Sequence, residues 1–249
     1  MMTAESSVLM RALVVLEAFD SSHMVLKLSD LMVRTGLPQT TLYRYVVDLV
    51  AWGALDRVPG GGGYQIGLRM IEIASYCPRS RLLRDVALPF IEDLYEVTHQ
   101  NVQLAVRDGT DVVYVELRAG RGAVVVHTRV GARWPMQTTG VGLAILAHSP
   151  SDLVEKITAR PMVAFTPKTI ATPERLRYAI AEVRRTGVAV SDGQITLDGY
   201  SVAAPIFGSG GDVVAALSVV VPAGDTRRAL WAPAVRTAAN GITRGLGGR

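Results

Sequence analysis

The sequence is poor in the residues on which covalent and metal chemistry depend. Its single cysteine, Cys77, cannot form a disulfide within the chain, which favours a reducing compartment. The four histidines, His23, His99, His127 and His148, are scattered, and no two of them are spaced to share one helical face. The sequence therefore predicts no zinc site built from cysteine and histidine, and we assign no metal and no cofactor.

Long apolar runs and catalytic signatures are also missing. The best apolar segment, residues 213–221, is about half as long as a membrane helix must be, and the first residues lack the basic-then-apolar order of a signal peptide. No Gly-x-Ser-x-Gly elbow occurs, and Gly140-x-Gly142 lacks the remainder of a dinucleotide or phosphate loop. These absences predict a cytoplasmic protein that is not an enzyme and does not contact a membrane.

Charge is sparse and nearly balanced along the chain. Charged residues make up 19% of the 249, and the formal net charge is +4. Residues 1–80 carry seven Lys or Arg against seven Asp or Glu, so the basic excess lies in residues 81–249, nineteen against fifteen. Bulk charge therefore does not identify a nucleic-acid partner. The length and the 49% of hydrophobic residues suit two folded domains.

Apolar periodicity divides the first third of the chain into helices and one hairpin. Ser29 is expected to cap the second helix, Gly36 to end it, Pro38 to open the third and Gly53 to end the third. Two short alternating runs around a glycine-rich tip predict a hairpin. The expected helices are residues 7–19, 30–35, 38–52 and 68–76, and the expected strands are residues 54–58 and 63–67.

The second and third helices have the dimensions of a helix-turn-helix, and the hairpin after them is typical of the winged form. In that motif the start of the second helix faces base edges, where Gln pairs with adenine and Arg with guanine or phosphate. Asp30 and Asp48 place negative charge near this face. The candidate DNA-binding residues are Ser29, Gln39, Thr40, Thr41, Tyr43 and Arg44 from the helices, and Arg57 and Gly61 from the wing.

The remainder of the chain predicts a second, larger domain. Residues 77–80 interrupt the pattern, so the expected division is a DNA-binding domain over residues 1–67, a linker helix and boundary over 68–80, and the second domain over 81–249. Three strands, then helices, then more strands predict an α+β domain with a mixed sheet flanked by helices. Its expected strands are residues 102–107, 112–117, 123–130, 188–190, 200–207 and 213–221, and its expected helices are residues 82–98, 139–147, 151–158, 172–185 and 225–246.

Five segments, in order over about residues 7–246, resemble the IclR family of transcriptional regulators. They are RALVVLEAFD through LKLSDLMVRTGLPQTTLYRYVVDLVAWGAL to YQIGLRMIEIA, then NVQLAVRDGTDVVYVELR, VGARWPMQTTGVGLAILA, TPERLRYAIAEVRRTGVAVSDGQ and SVAAPIFGSGGDVVAALSVVVP. The resemblance implies a winged helix-turn-helix, a linker helix and a GAF-like effector domain with a mixed or antiparallel sheet. It also implies a homodimer or dimer of dimers that binds double-stranded DNA at palindromic operators and represses or activates catabolic genes.

The resemblance further implies a small organic acid, aliphatic or aromatic, as the effector. Family pocket positions correspond to Val126, Trp134, Gly140, Val141, Asp192, Ser201, Ser218 and Val220 in this sequence. Glycines near a helix start offer free N–H groups to a carboxylate, and the two serines can donate hydrogen bonds. The chain departs from the family at Gln137, Leu143 and Gln194, where His, a basic residue and an acidic residue are common, and Trp134 replaces a smaller Leu.

Two other functions remain open at the level of the sequence. The neutral N-terminal domain allows a metabolite-binding module or enzyme whose helix-turn-helix serves only dimerisation. The departures at Gln137 and Leu143 allow a regulator whose sensor domain has lost its ligand.

Overall fold

The computed structural model describes residues 7–121, 123–125 and 128–248, without the side chains of residues 78–80. The chain divides into two compact units, residues 1–81 and 82–249. Each unit has its own hydrophobic core, so each is described separately.

The N-terminal unit is built from three helices, a hairpin and a fourth helix. Strands β1 and β2 are antiparallel, with Leu55 opposite Ile66. Val15, Leu31 and Leu42 are fully buried in the core, where the apolar stripes of the first three helices meet. The predicted order of helices and hairpin is confirmed. The elements are α1 (Val8–Glu17), α2 (Leu28–Thr35), α3 (Gln39–Trp52), β1 (Leu55–Arg57), β2 (Tyr64–Ile66) and α4 (Arg69–Ser75).

Glycines end the two helices of the helix-turn-helix, as the sequence predicts. Gly36 and Gly53 have φ angles of 68° and 88°, in the left-handed region that favours glycine. The expected cap at Ser29 is wrong, because α2 begins at Leu28, two residues before its expected start, and its N-cap is Lys27. The carboxylate of Asp30 caps that helix instead, accepting a hydrogen bond from the Lys27 N–H at 2.9 Å.

The C-terminal unit is a six-stranded sheet with helices on both faces. Its strand order is β5-β4-β3-β8-β7-β6 and every pairing is antiparallel, so the antiparallel form of the expected mixed or antiparallel sheet is confirmed. The elements are α5 (Pro78–Thr98), β3 (Asn101–Asp108), β4 (Asp111–Arg118), β5 (Arg133–Pro135), a 3₁₀ turn (Met136–Thr138), α6 (Gly140–Leu146), α7 (Ser151–Thr158), α8 (Pro173–Thr186), β6 (Ala189–Asp192), β7 (Gly199–Phe207), β8 (Val213–Pro222) and α9 (Arg228–Gly245).

Alternating residues of each strand point to opposite faces of this sheet. On one face, Leu104, Leu217 and Val219 pack in a core cluster with residues of α5 and α9. On the other face, Ala105, Ala203 and Ala216 join α6 and α8 in a second cluster. The small alanines allow α6 to lie close to the strands, and this second face also carries the cavity described below.

Two sequence predictions in this unit are wrong. The expected strand at residues 123–130 is absent among the residues described there, because residues 131–135 occupy the free edge of β4. The Gly131 N–H donates to the Tyr114 carbonyl at 2.7 Å, and Val112 lies opposite Trp134. The expected interruption between helices at residues 77–80 is also shorter than predicted, because α5 already begins at Pro78. Proline is tolerated at a helix start, where its missing N–H costs no hydrogen bond.

Candidate functional site

The first candidate site is the outer face of α3. Leu42, Tyr45 and Val46 are buried, which turns the opposite side of the helix to solvent. The predicted DNA-binding residues Gln39, Thr40, Tyr43 and Arg44 are exposed on that side, and Thr41 is half-buried. Ser29 is exposed in the first turn of α2. This is the arrangement in which a recognition helix offers its first turns to base edges.

The wing is held against the helices by backbone hydrogen bonds. Leu26, just before α2, exchanges two N–H to carbonyl bonds with Tyr64 of β2, at 2.8 and 3.0 Å. Gly63 permits this approach, because a Cβ there would lie 2.6 Å from the Leu26 carbonyl oxygen. Arg57 and Gly61 are both exposed on this hairpin, and Gly61 has a φ of 79°. The wing therefore places a cation and a bare backbone at the surface.

The charges on this surface are arranged unevenly. The guanidinium groups of Arg44 and Arg57 lie over the rings of Tyr45 and Tyr64, each 5.6 Å from the ring centroid. Neither forms an ion pair among the described residues, so both remain available for phosphate or guanine. Asp30 accepts the Lys27 N–H as a helix cap, whereas Asp48 is exposed on α3 one turn after Arg44.

The second candidate site is a cavity of about 70 Å³ in the C-terminal unit, on the α6 face of the sheet. A single water needs about 10–15 Å³ measured in this way, so the space suits a small organic molecule. Apolar side chains form part of the wall, and hydroxyl and amide groups form the rest. The lining residues are Gln103, Tyr114, Val124, Val125, Thr128, Trp134, Thr138, Thr139, Gly140, Ser191, Gln194, Ile195, Thr196, Gly199, Ser201 and Val220.

The start of α6 lies at this cavity, whose wall includes Thr139 and Gly140. The Thr139 side chain caps the helix by accepting the Gly142 N–H at 3.0 Å. The first helical hydrogen bond runs from the Leu143 N–H to the Thr139 carbonyl, so the N–H groups of Gly140 and Val141 precede it. A Cβ on Gly140 would lie 3.0 Å from the Ser201 Oγ, which shows how closely the helix start approaches β7.

Tyr114 supplies a buried hydroxyl to the same wall. Tyr114 is 4% exposed, and its hydroxyl interacts with the Thr139 side chain. Burial raises the pKa of the Tyr114 phenol above its usual range, so the group stays protonated and can donate a hydrogen bond. Trp134 stands at the apolar side, where Phe165 packs against it edge-on with ring centroids 5.2 Å apart.

The eight predicted effector positions fall into four groups. Trp134, Gly140, Ser201 and Val220 line the cavity, whereas Val141 and Ser218 are buried beside it. The Asp192 carboxylate is ion-paired with Lys168 at 3.1 Å and Arg228 at 3.3 Å. Val126 lies outside the described residues. The structure thus brings half of the set together around one space.

Two family descriptions match this chain. The IclR helix-turn-helix domain matches residues 8–59, and the bacterial transcriptional regulator IclR C-terminal domain matches residues 78–244. The chain belongs to the IclR family of transcriptional regulators.

Named relatives cover most of this IclR-family chain. The HTH-type transcriptional regulator XynR of Escherichia coli is 30% identical over 84% of this chain and 83% of its own length. The HTH-type transcriptional regulator KipR of Bacillus subtilis is 31% identical over 78% of each. A crystal structure of an IclR homologue from Microbacterium hydrocarbonoxydans, complexed with 4-hydroxybenzoate, is 32% identical over 96% of this chain and 99% of that chain, with a TM-score of 0.89.

Several polar residues of the cavity escaped prediction from the sequence. Ser191 lines it, although Asp192 next to it was the predicted residue, because neighbouring residues of a strand face opposite ways. Gln103, Tyr114 and Gln194 also line it. The alternation Asn101-Val102-Gln103-Leu104 is a signal for Gln103, since it marks one polar face on an otherwise apolar strand.

The described residues hold neither a metal cluster nor a helix that could span a membrane. Within the described ranges, no three His, Cys, Asp or Glu side chains are arranged to hold a metal ion. Among the helices that the structure describes, none has both the length and the apolar character to cross a lipid bilayer.

Proposed function

We propose that this IclR-family regulator binds a small organic acid in the cavity of its C-terminal unit, and that the occupied cavity changes its affinity for operator DNA. The observation that carries the proposal is the cavity itself, which combines an apolar wall with the N–H groups that begin α6. The DNA-bound form would be a dimer, or a dimer of dimers, on a palindromic operator in the cytoplasm. Residues 68–80 would link the DNA-binding domain (1–67) to the effector domain (81–249).

The cavity offers distinct places for the two parts of an organic acid. The carboxylate would lie against the N–H groups of Gly140 and Val141 and the Ser201 hydroxyl, since such groups bind anions well. The hydrocarbon part would lie against Trp134 and Val220. The homologue solved with 4-hydroxybenzoate supports an aromatic acid as the first candidate.

The DNA-facing set supports direct base contact by α3 and phosphate contact by the wing. Gln39, Thr40, Thr41, Tyr43 and Arg44 would enter the major groove, while Arg57 and Gly61 would contact the adjoining backbone, with Ser29 contacting phosphate from α2. The exposed guanidinium groups of Arg44 and Arg57 support this assignment.

The two activities would be coupled through the sheet. Helix α5 packs on the face opposite the cavity, through Leu83, Ala87 and Ile91, and its chain continues from the DNA-binding unit. An acid that binds one conformation of the sheet more tightly than another would shift the population of DNA-competent molecules.

The first experiment is a fluorescence titration of the protein on DNA from upstream of its own gene, across a salt series. Parent protein should bind in a sequence-preferring way that weakens steeply with salt, because phosphate contacts release counterions. Arg44→Ala should weaken binding by about tenfold or more. Equal affinity for the parent and Arg44→Ala would contradict the assignment of α3 as the recognition helix.

The second experiment adds acids to the preformed DNA complex. Aromatic and aliphatic carboxylates, with 4-hydroxybenzoate first, are expected to change the fraction of bound DNA at fixed salt. Gly140→Val places a branched side chain against the Ser201 hydroxyl, so it should abolish the acid response while DNA binding without acid persists. A metabolite-binding enzyme would instead show turnover of the acid and DNA affinity that does not vary with salt.

A further inference from the structure

Gln103 is a cavity residue with a polar atom that the protein leaves without a partner. It lies in the middle of β3, its side chain is 3% exposed and it forms part of the cavity wall. Its Nε2 is buried and makes no hydrogen bond to the residues that the structure describes. A buried amide donor in this state has lost its hydration without replacement, which destabilises the folded protein.

Asn101, on the same face of β3, has a side-chain amide whose hydrogen bonds are satisfied within the protein. It lies two residues before Gln103, is equally buried and points to the same side of the sheet. Its Nδ2 donates to the Val124 carbonyl at 2.8 Å, and its Oδ1 accepts the Gly120 N–H at 3.0 Å. Asn101 therefore fixes the loop after β4, whereas Gln103, a residue of the cavity wall, has a buried amide donor without such a partner.

The position of Gln103 places this donor away from the start of α6. Ser218 of β8 lies directly between Gln103 of β3 and Ala203 of β7, and a Cβ on Gly140 would be 3.4 Å from the Cβ of Ala203. Two strand spacings therefore separate Gln103 from the residues beneath α6, or about 10 Å between backbones. Among the described residues, the Ser218 Oγ is also buried without a partner, so two unsatisfied polar groups lie on paired residues of β3 and β8.

We propose that Gln103 is a specificity-determining residue that donates a hydrogen bond to a second acceptor on the effector. The effector would be a hydroxy- or oxo-substituted aromatic acid, with its carboxylate near α6 and its second oxygen near the Gln103 Nε2. The Gln103 side chain covers part of the distance between the backbones of β3 and β7. A single aromatic ring with polar groups on opposite sides spans the remainder. The inference rests on the proposed function, because it requires an acid in the cavity.

The test compares ligands that differ by one hydroxyl. Calorimetric titration of the parent protein with benzoate, 3-hydroxybenzoate and 4-hydroxybenzoate should show at least one hydroxylated acid binding about tenfold or more tightly than benzoate. Gln103→Leu should reduce that ratio to about one, by weakening the hydroxylated acid and sparing benzoate.

Unfolding without ligand gives a readout that does not depend on binding. Gln103→Leu should raise the melting temperature of the ligand-free protein, because it replaces an unsatisfied amide by an apolar group. Asn101→Leu is the matched control, and it should lower the melting temperature because two hydrogen bonds are lost. A lower melting temperature for Gln103→Leu would show a structural role and overturn the inference.

The outcomes separate this inference from the proposed function. If parent protein binds benzoate and the hydroxybenzoates equally, or if Gln103→Leu leaves their ratio unchanged, the inference fails while acid binding stands. If the parent protein binds none of the three and also shows no response of its DNA complex to aliphatic acids, both fail.

Discussion

The carboxylate of Asp20 ties the loop after α1 to the end of α2. It contacts the His23 Nδ1 at 2.9 Å and the Arg34 guanidinium at 2.5 Å. The hydrogen bond from His23, with smaller contributions from the Ser22 N–H and Arg34, lowers the pKa of Asp20 from 3.8 to about 2. Because the folded value is the lower one, ionised Asp20 stabilises the fold above about pH 4, and this contribution is lost as pH falls to 2.

Asp20→Asn should therefore lower the free energy of unfolding at neutral pH and remove part of its dependence on pH. We expect the difference between parent and variant to shrink steadily between about pH 5 and pH 2. Urea unfolding of both proteins at several pH values measures this difference. A difference that stays constant over that range would show that the carboxylate charge is not responsible.

Tyr114 is the residue whose hydroxyl is best placed to separate ligand binding from folding. Tyr114→Phe keeps the buried ring and leaves intact the hydrogen bond from the Gly142 N–H to Thr139. The variant should bind the effector acid about tenfold more weakly, the effect of one lost hydrogen bond, while its DNA affinity without acid is unchanged. Calorimetry with 4-hydroxybenzoate tests this, and an unchanged affinity would place the hydroxyl outside the ligand contacts.

Individual site residues were harder to predict than the motifs that carry them. Ser201 and Gly140, which the family resemblance predicted as pocket residues, do line the cavity. Asp192 was also predicted, but its neighbour Ser191 lines the cavity instead. A strand alternates faces at every residue, so an error of one position exchanges wall for exterior. The alternation in β3 marks the polar face on which Gln103 lies, but that this face carries the cavity depends on packing between distant segments. The position of Tyr114 on β4 depends on the same packing.

Elements were predicted well where a local signal fixes their ends. Gly36 and Gly53 end α2 and α3 because their positive φ suits glycine, and Thr172 with Pro173 starts α8 as expected. The strand predicted from the valines after residue 122 was wrong, because β-branched residues favour a strand without determining which strand it pairs with. In the fold, β5 takes that place beside β4, and Val124 and Val125 line the cavity instead.

Helix α6 depends on Gly142 for its approach to the preceding 3₁₀ turn. A Cβ on this residue would lie 2.1 Å from the Met136 carbonyl oxygen, a backbone atom that cannot move alone. Gly142→Ala should therefore destabilise the protein by about 1–3 kcal/mol and weaken acid binding, because the helix start must shift. Thermal unfolding and calorimetry measure the two effects.

Gly224→Ala is the control for that substitution. Its added Cβ meets open space and its φ is not positive, so stability should change by less than about 0.5 kcal/mol. Equal effects of the two substitutions would show that loss of glycine flexibility, and not the contact with Met136, is responsible.

The N-terminal unit exposes apolar side chains on several helices, among them α1 and α4. Leu9 of α1 and Ile71 of α4 are 67% and 66% exposed. Other large apolar residues are exposed on α1, on α4 and directly before α4. They are Val8, Met10, Leu13, Leu68 and Ile73. Such surfaces mark protein contacts, and a palindromic operator requires two recognition helices related by a two-fold axis. We therefore expect that a second copy of the chain covers these apolar side chains.

Ile71→Asp should convert the protein to a form of lower mass in sedimentation, because a charge would be buried in the dimer contact. Its affinity for a full palindrome should fall by about a hundredfold, while its affinity for one half-site changes little, since linked binding adds that much avidity. Val163→Asp is the matched control, being a similarly exposed apolar position in the other unit. If Val163→Asp dissociates the protein and Ile71→Asp does not, the contact between copies lies in the effector unit, and the winged helices are paired only through it.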